Sequence, residues 1–262
     1  MEIRELSDNI IRKSNQFSEV MSACATLLKH SDEAKETREY LSTRLPKPVP
    51  GFSLGFFPPN QHLHTLLELV DKQTLLDTNL LYERFSNEAG QQEMMNCGIL
   101  YQHNLVMSYK NLYGDIVGMV GRSLLEKEDR SKYRIPKYKN TDLYKSLHLF
   151  GLYNAKEHIL SNDSVIIVEG QFDCITCHRY GFRNVIALGG ASFSKYHLAI
   201  IKRYTNKIKL LMDNDVAGEK AASKITYRYG SDANISTISL PTCYKDIDTY
   251  LNDNSDHGLL IM

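Results

Sequence analysis

The sequence predicts an α/β protein: an open parallel sheet with flanking helices, preceded by a mixed α/β N-terminal subdomain. Three observations carry that reading. Ser164 to Val168 (SVIIV) is a continuous apolar run, the pattern of a strand buried on both faces. From there to Asn252, short apolar runs alternate with helical stretches, the signature of βαβ units and a parallel sheet. The N-terminal stretch, by contrast, has neither proline nor glycine before Pro46 and sets Leu27, Leu28 and Leu41 at helical spacings.

In chain order, residues 1–45 read as helix, and LPKPVPG (Leu45 to Gly51) breaks the pattern. Helix-like segments follow at 61–70 and 74–86. LVMSYKNLYGDIVGMVGR (Leu105 to Arg122) reads as two strands joined by a turn at Tyr113-Gly114-Asp115. A polar segment from Lys127 to Lys145 carries seven basic residues against three acidic ones (Glu128, Asp129, Asp142). Beyond it, strands are expected at Ser164–Val168, Asn184–Leu188, Lys207–Met212 and Asn234–Leu240. Helices are expected at Phe172–Tyr180, Ser194–Tyr204, Val216–Tyr229 and Lys245–Asn252, the first closed by Gly181. The expected division is a mixed α/β subdomain over 1–160 and a parallel-sheet domain over 161–262.

Composition bounds the function. The 262 residues carry 31 Lys+Arg and 31 Asp+Glu, so the global field gives no attraction for nucleic acid and any such binding rests on local patches. At 42% apolar residues the chain can bury a sizeable core without disulfides or structural metal. No apolar run approaches the ~20 residues of a membrane span. MEIRELSDN has no secretory signal pattern. The expected location is the cytoplasm. Cys24, Cys97, Cys174, Cys177 and Cys243 read as reduced thiols. Cys174, Cys177 and His178 spell CITCH, the haem-attachment pattern, but on one face of a helix they read better as packing residues. Zinc needs about four ligands, and no zinc ribbon is present.

Ligands of open parallel sheets bind outside the carboxyl ends of the strands. Here those ends carry acids. Glu169, Gly170 and Asp173 follow the first strand, Asp213-Asn214-Asp215 the third, and Asp246 and Asp248 the fourth. An aspartate after a strand is commonly only a helix cap. Six carboxylates from three segments on one edge, however, repel unless cations neutralise them. Hard carboxylate oxygens suit Mg²⁺ or Mn²⁺, and two such ions about 3.5–4 Å apart serve phosphate chemistry.

VIIVEGQFD (Val165 to Asp173) with LLMDNDVAG (Leu210 to Gly218) resembles a Toprim domain, the metal-binding module of primases, topoisomerases and some nucleases. NLYGDIVGMVGR, then PKYKN (Pro136 to Asn140), then LYKSLHLFGLYNAKEHI resembles the catalytic core of bacterial DnaG-type primases in the same order. GFSLGFFPP (Gly51 to Pro59) is similar to the family's lead-in segment. The resemblance implies a Toprim-type fold, with Glu169 as metal ligand or general base and Asp213 and Asp215 as metal ligands. Asp173 belongs to the same motif, and Asp246 with Asp248 matches the family's last acidic pair. Gly170, Arg122, Lys137, Tyr138, Asn140 and Lys145 would hold nucleotide phosphates or template.

The implied activity is a primase-like, DNA-directed RNA polymerase making short primers on single-stranded DNA from ribonucleoside triphosphates. Three features depart from the family. The zinc ribbon is missing, and ending at Met262 leaves no room for the usual helical and helicase-binding parts. Gln102 and Asn104 also stand where basic residues are usual, before Leu105-Val-Met107. A replicative helicase or a separate zinc-ribbon initiation subunit is thus an expected partner. A Toprim nuclease using the same acids, and a non-catalytic subunit of a replication complex, are the alternative readings. A topoisomerase fits less well, because no strand-passage domain and no nucleophilic tyrosine can be singled out.

Overall fold

The computed structural model describes residues 2–88, 91–190 and 192–253, so the last nine positions of the expected parallel-sheet domain, 254–262, lie outside the described residues. The chain forms two compact units. One takes the described residues up to Pro48 with Phe52–Tyr109 and Gly114–Leu143; the other takes Val49–Gly51, Lys110–Tyr113 and the described residues from Tyr144 on.

The first unit opens with α1 (Glu2–His30) and α2 (Lys35–Arg44), not with one continuous helix. Arg38 ends the first helix by donating from Nη1 to Leu28 O at 3.0 Å and Ser31 O at 2.6 Å, carbonyls at and just beyond its last turn. Phe17, Val20, Met21, Cys24 and Leu27 recur at helical spacing and are buried. Through that stripe α1 packs on the first-unit strands β1 and β5 described next.

β1 (Leu54–Phe56) is followed by α3 (His64–Leu67), α4 (Lys72–Asp77), and the hairpin β2 (Leu81–Glu88) and β3 (Gln91–Gly98). The helix expected over 74–86 is corrected here: only its first residues are helical, and the rest is strand. Three leucines of this stretch, Leu75, Leu80 and Leu81, reach the core from different elements. They are buried from a helix, from a turn set by left-handed Asn79 (φ 55°) and from a strand respectively. The expected 61–70 helix shrinks to a 3₁₀ turn and the single turn α3. β4 (Leu105–Lys110) and β5 (Ile116–Arg122) form the expected pair. α5 (Lys127–Lys132) leads to β6 (Tyr138–Asn140), giving a sheet ordered β1-β4-β5-β6.

The second unit contains α6 (Leu152–Asn162), β7 (Val165–Val168), α7 (Gln171–Arg179), β8 (Val185–Ala187), α8 (Lys195–Ile201), β9 (Lys207–Leu210), α9 (Val216–Tyr229), β10 (Asn234–Thr237) and α10 (Ile247–Asp253). Its four strands are parallel in the order β10-β9-β7-β8. All four β7 residues are buried, as the apolar run requires. Ile167, Ile186, Ile208, Leu210 and Ile225 belong to its core.

Packing places the boundary between the units at 143/144, earlier than 160/161. Phe150 exchanges both backbone hydrogen bonds with Ala187 (2.9 and 3.0 Å), and so adds an antiparallel bridge to β8. The two short excursions are pinned too: Lys110 Nζ donates to Gly51 O and Lys156 Nζ to Leu112 O, each at 2.9 Å. Within α7, Cys174, Cys177 and His178 are core residues. Cys174 Sγ donates to Val185 O at 3.4 Å, and His178 Nε2 lies 2.8 Å from the same oxygen. Burial lowers the His178 pKa to about 4, so the ring is neutral at pH 7 and CITCH is packing. No described helix is long and apolar enough to cross a membrane.

Candidate active site

β7 runs through α7 to β8 on one side, and the next strand, β9, pairs on the other side of β7. Strand order therefore reverses between β7 and β9, and the crevice beyond their carboxyl ends is the place where such sheets bind ligands. Glu169 stands directly after β7, and Asp213 and Asp215 just after β9. The two loops are joined: Asp213 N donates to Glu169 Oε1 at 3.1 Å. Gly218 makes the junction possible, since a Cβ there would lie 2.1 Å from Asp213 O and 3.0 Å from Glu169 Oε1.

The other acids are held by local bonds. Asp173 Oδ2 accepts from Gly170 N at 3.0 Å, fixing the start of α7. Asp215 is the cap of α9, with Oδ1 accepting from Ala217 N (2.9 Å) and Gly218 N (3.0 Å). Asp246 does the same before α10, accepting from Thr249 N at 2.9 Å and Thr249 Oγ1 at 2.7 Å. A carboxylate has a second oxygen, so capping does not exhaust it. Asp248 is buried, accepting from Thr176 Oγ1 and from Asn252 Nδ2. Thr176 and Asn252 were not singled out in the sequence: a threonine inside a helix and an asparagine beyond the last motif give no signal until α7 and α10 are packed together.

Electrostatics shows that these groups share one field. Burial, reinforced by the charges of Asp213, Asp246 and Asp248, raises the Asp173 pKa to about 8. Asp213 is raised to about 6 by burial and by Glu169, Asp246 and Asp215, against the opposing pull of Lys245. Among the described residues, no three acidic, His or Cys side chains are gathered tightly enough to hold an ion unaided. Hard oxygen donors with surplus negative charge nevertheless fit Mg²⁺, which is usually bound through one or two carboxylates with waters and substrate phosphates completing its shell.

A pH consequence follows. Both carboxyls have folded-state pKa values above the ordinary 3.8, so between about pH 4 and 8 the folded chain binds more protons than the unfolded one. Their contribution therefore lowers stability as pH rises through that window. In EDTA the melting temperature should fall from pH 5 to 8.5, with saturating Mg²⁺ restoring most at the alkaline end. Asp213→Asn should flatten the profile; a variant profile identical to wild type would place the charge surplus elsewhere.

Lys145 stands at the same sheet edge. Its half-buried Nζ donates to Gly189 O at 3.2 Å, just beyond β8, and burial lowers its pKa. His197 holds the turn that carries it, Nε2 lying 2.7 Å from Lys145 O. Beside Glu169 opens a cavity of about 270 Å³ lined by Phe193, Lys224, Arg228 and Tyr229.

Four further expected residues lie in the first unit. Arg122 and Tyr138 are register partners on β5 and β6, with Arg122 Nη1 donating to Tyr138 Oη at 2.6 Å. Lys137 is exposed beside them. Asn140 Oδ1 is buried without a hydrogen-bond partner among the described residues, an acceptor that a ligand hydroxyl or amine can satisfy. Buried His103, not foreseen, steadies the turn before this strand, its Nε2 lying 2.8 Å from Pro136 O.

Two family models match the chain. Residues 166–251 match the model of a Toprim-like family, and residues 24–156 that of the DNA primase catalytic core, N-terminal domain. A DNA primase of Aquifex aeolicus is 29% identical over 229 residues, covering 84% of this chain and 43% of its own length. The chain thus spans less than half of that relative. The crystal structure of the zinc-binding and RNA polymerase domains of the Aquifex aeolicus primase superposes with a TM-score of 0.72 at 27% identity, over 94% of this chain and 60% of that one. A DnaG primase catalytic domain bound to ssDNA superposes at 0.75 with 21% identity, over 97% and 81%, a likeness of fold. With its acids at the switch point of one unit and its basic motif in the other, the chain belongs to the DNA primase catalytic core family.

Proposed function

We propose that the chain synthesises short RNA primers on single-stranded DNA from ribonucleoside triphosphates, by nucleotidyl transfer. The observation that carries this is the shared field of Glu169, Asp173 and Asp213 at the switch point of a primase-family chain. The 3′-oxygen of one nucleotide forms a bond to the α-phosphorus of the next, the bond to the β-phosphate breaks, and pyrophosphate leaves. The hydroxyl proton passes to a base, the role assigned to Glu169.

Glu169, Asp213, Asp215, Asp246 and Asp248 are the side chains that would hold Mg²⁺ or Mn²⁺, which when bound supplies Lewis-acid activation and charge neutralisation. Lys145, half-buried and stripped of part of its hydration, suits a triphosphate anion. Arg122, Lys137 and Tyr138 suit the template backbone, while the buried acceptor of Asn140 suits a sugar hydroxyl. The match over residues 24–156 favours this reading over a nuclease. A helicase or an initiation subunit is the proposed further partner, by likeness to the family.

The test is incubation of the full chain with single-stranded DNA, labelled ribonucleotides and Mg²⁺ or Mn²⁺. Short RNA products that vanish on adding EDTA are expected. Metal-dependent loss of template without RNA products would replace the primase reading with the nuclease.

A further inference from the structure

The cavity beside Glu169 belongs wholly to the second unit, and the sequence motifs do not mark it. Its volume of about 270 Å³ is close to the ~300 Å³ at which ligand cavities commonly begin. One wall is a single face of α9: Ala221, Lys224, Ile225 and Arg228 follow at the three- and four-residue steps that share a helix face. The floor is apolar, with Phe193 and Tyr229 buried edge to face, their ring centres 5.3 Å apart. Charge changes sign along the cavity. The start of α9 meets Glu169 at Gly218, whereas Arg228 lies about 15 Å further along at the helical rise. Lys224 and Arg228 are exposed, and the Arg228 guanidinium carbon stands 5.5 Å from the Tyr229 ring centre.

We propose that this cavity binds the ribonucleotide that donates the attacking 3′-hydroxyl, with its base on the Phe193–Tyr229 floor and its 5′-phosphates on Lys224 and Arg228. The inference rests on the primase reading, which assigns Glu169 as the base, and adds a second nucleotide site to it. Joining two nucleotides requires two sites. Lys145, the cation suited to a triphosphate, donates to Gly189 O and does not line the cavity. Charge sets the orientation of the ligand. Phosphates beside the Glu169 carboxylate would be repelled, so they turn to the two cations and the sugar hydroxyls face Glu169. Glu169 Oε1 accepts from Asp213 N, and a carboxylate has a second oxygen. That oxygen takes the 3′-hydroxyl proton as the hydroxyl oxygen bonds to the α-phosphorus of the other nucleotide and pyrophosphate leaves.

The probe is a fluorescent ribonucleoside 5′-monophosphate. It has a 3′-hydroxyl and a phosphate but no pyrophosphate to lose, so it can start a chain and cannot be added to one. Its binding to the full chain is read by anisotropy without template. The same variants are then assayed for dinucleotide formation and for extension of an RNA primer on single-stranded DNA. Arg228→Gln should weaken monophosphate binding about tenfold, the loss of one charge-assisted contact, and raise KM for the starting nucleotide with little change in kcat. Ala221→Leu fills the cavity with a good helix former and keeps every charge, so it should abolish binding. Dinucleotide formation lost with extension kept would assign the cavity to the free starting nucleotide, and loss of both would assign it to the primer's 3′ end as well. No monophosphate binding by wild type, or wild-type binding in both variants, would overturn the proposal. So would a raised KM for the added triphosphate alone. If wild type makes no RNA yet binds the monophosphate through Arg228 and Ala221, the primase reading fails while the cavity stands as a nucleotide site.

Discussion

Asp213→Asn should reduce ribonucleotide polymerisation by about 10³-fold while raising the melting temperature of the metal-free chain. The first half follows from the place of Asp213 at the switch point: removing one group aimed at developing charge commonly costs 10²–10³ in rate. The second half follows from its surroundings. The carboxyl is raised to about 6 because it is partly buried beside Glu169 and Asp246, so at pH 8 its ionised form is held against repulsion. A neutral amide of the same shape removes that repulsion. Activity and stability should therefore move in opposite directions, as at sites where function opposes stability. Product length on single-stranded DNA and melting curves in EDTA at pH 8 read the two effects. Loss of both activity and stability would mean that Asp213 is mainly structural, and unchanged activity would remove it from the site.

Gly218→Ala should be nearly as damaging by a different route. The added methyl would meet Asp213 O at 2.1 Å and Glu169 Oε1 at 3.0 Å. The first contact is with backbone, so no side-chain rotation relieves it. The start of α9 must shift, pulling on the Asp215 cap at Gly218 N. The expected stability loss is about 2–3 kcal/mol, read by urea unfolding. A displacement near 1 Å at the site costs on the order of 10²-fold in rate. Gly181→Ala is the control: Gly181 has φ +92° and nothing within 4 Å of an added Cβ, so it should cost about 1 kcal/mol of backbone strain and leave polymerisation intact. Wild-type activity in Gly218→Ala would show that the Asp213–Glu169 junction tolerates movement.

These two residues also show what the sequence discloses. Asp213 was legible because the alternation of short apolar runs with helical stretches marks Lys207–Met212 as a strand, and a ligand edge must follow its carboxyl end. Gly218 was visible only as part of a motif, since its purpose is an approach of two loops that no local pattern encodes. The β2–β3 hairpin was hidden because Leu75, Leu80 and Leu81, buried from three different elements, give the stretch an apolar content that does not by itself tell helix from strand. The cap roles of Asp215 and Asp246 were the modest expectation for an aspartate after a strand, and they coexist with the shared field.

The weave of the chain has an evolutionary consequence. Val49–Gly51 and Lys110–Tyr113 belong to the acid-bearing unit although they are encoded inside the other. A single crossover near codon 144 would transplant a sheet stripped of both, leaving Lys156 without its bond to Leu112. Shuffling of these two bodies between genomes is therefore penalised at any one breakpoint, and they should be inherited as a pair, with sequence drift in one answered by compensating drift in the threads it lends to the other.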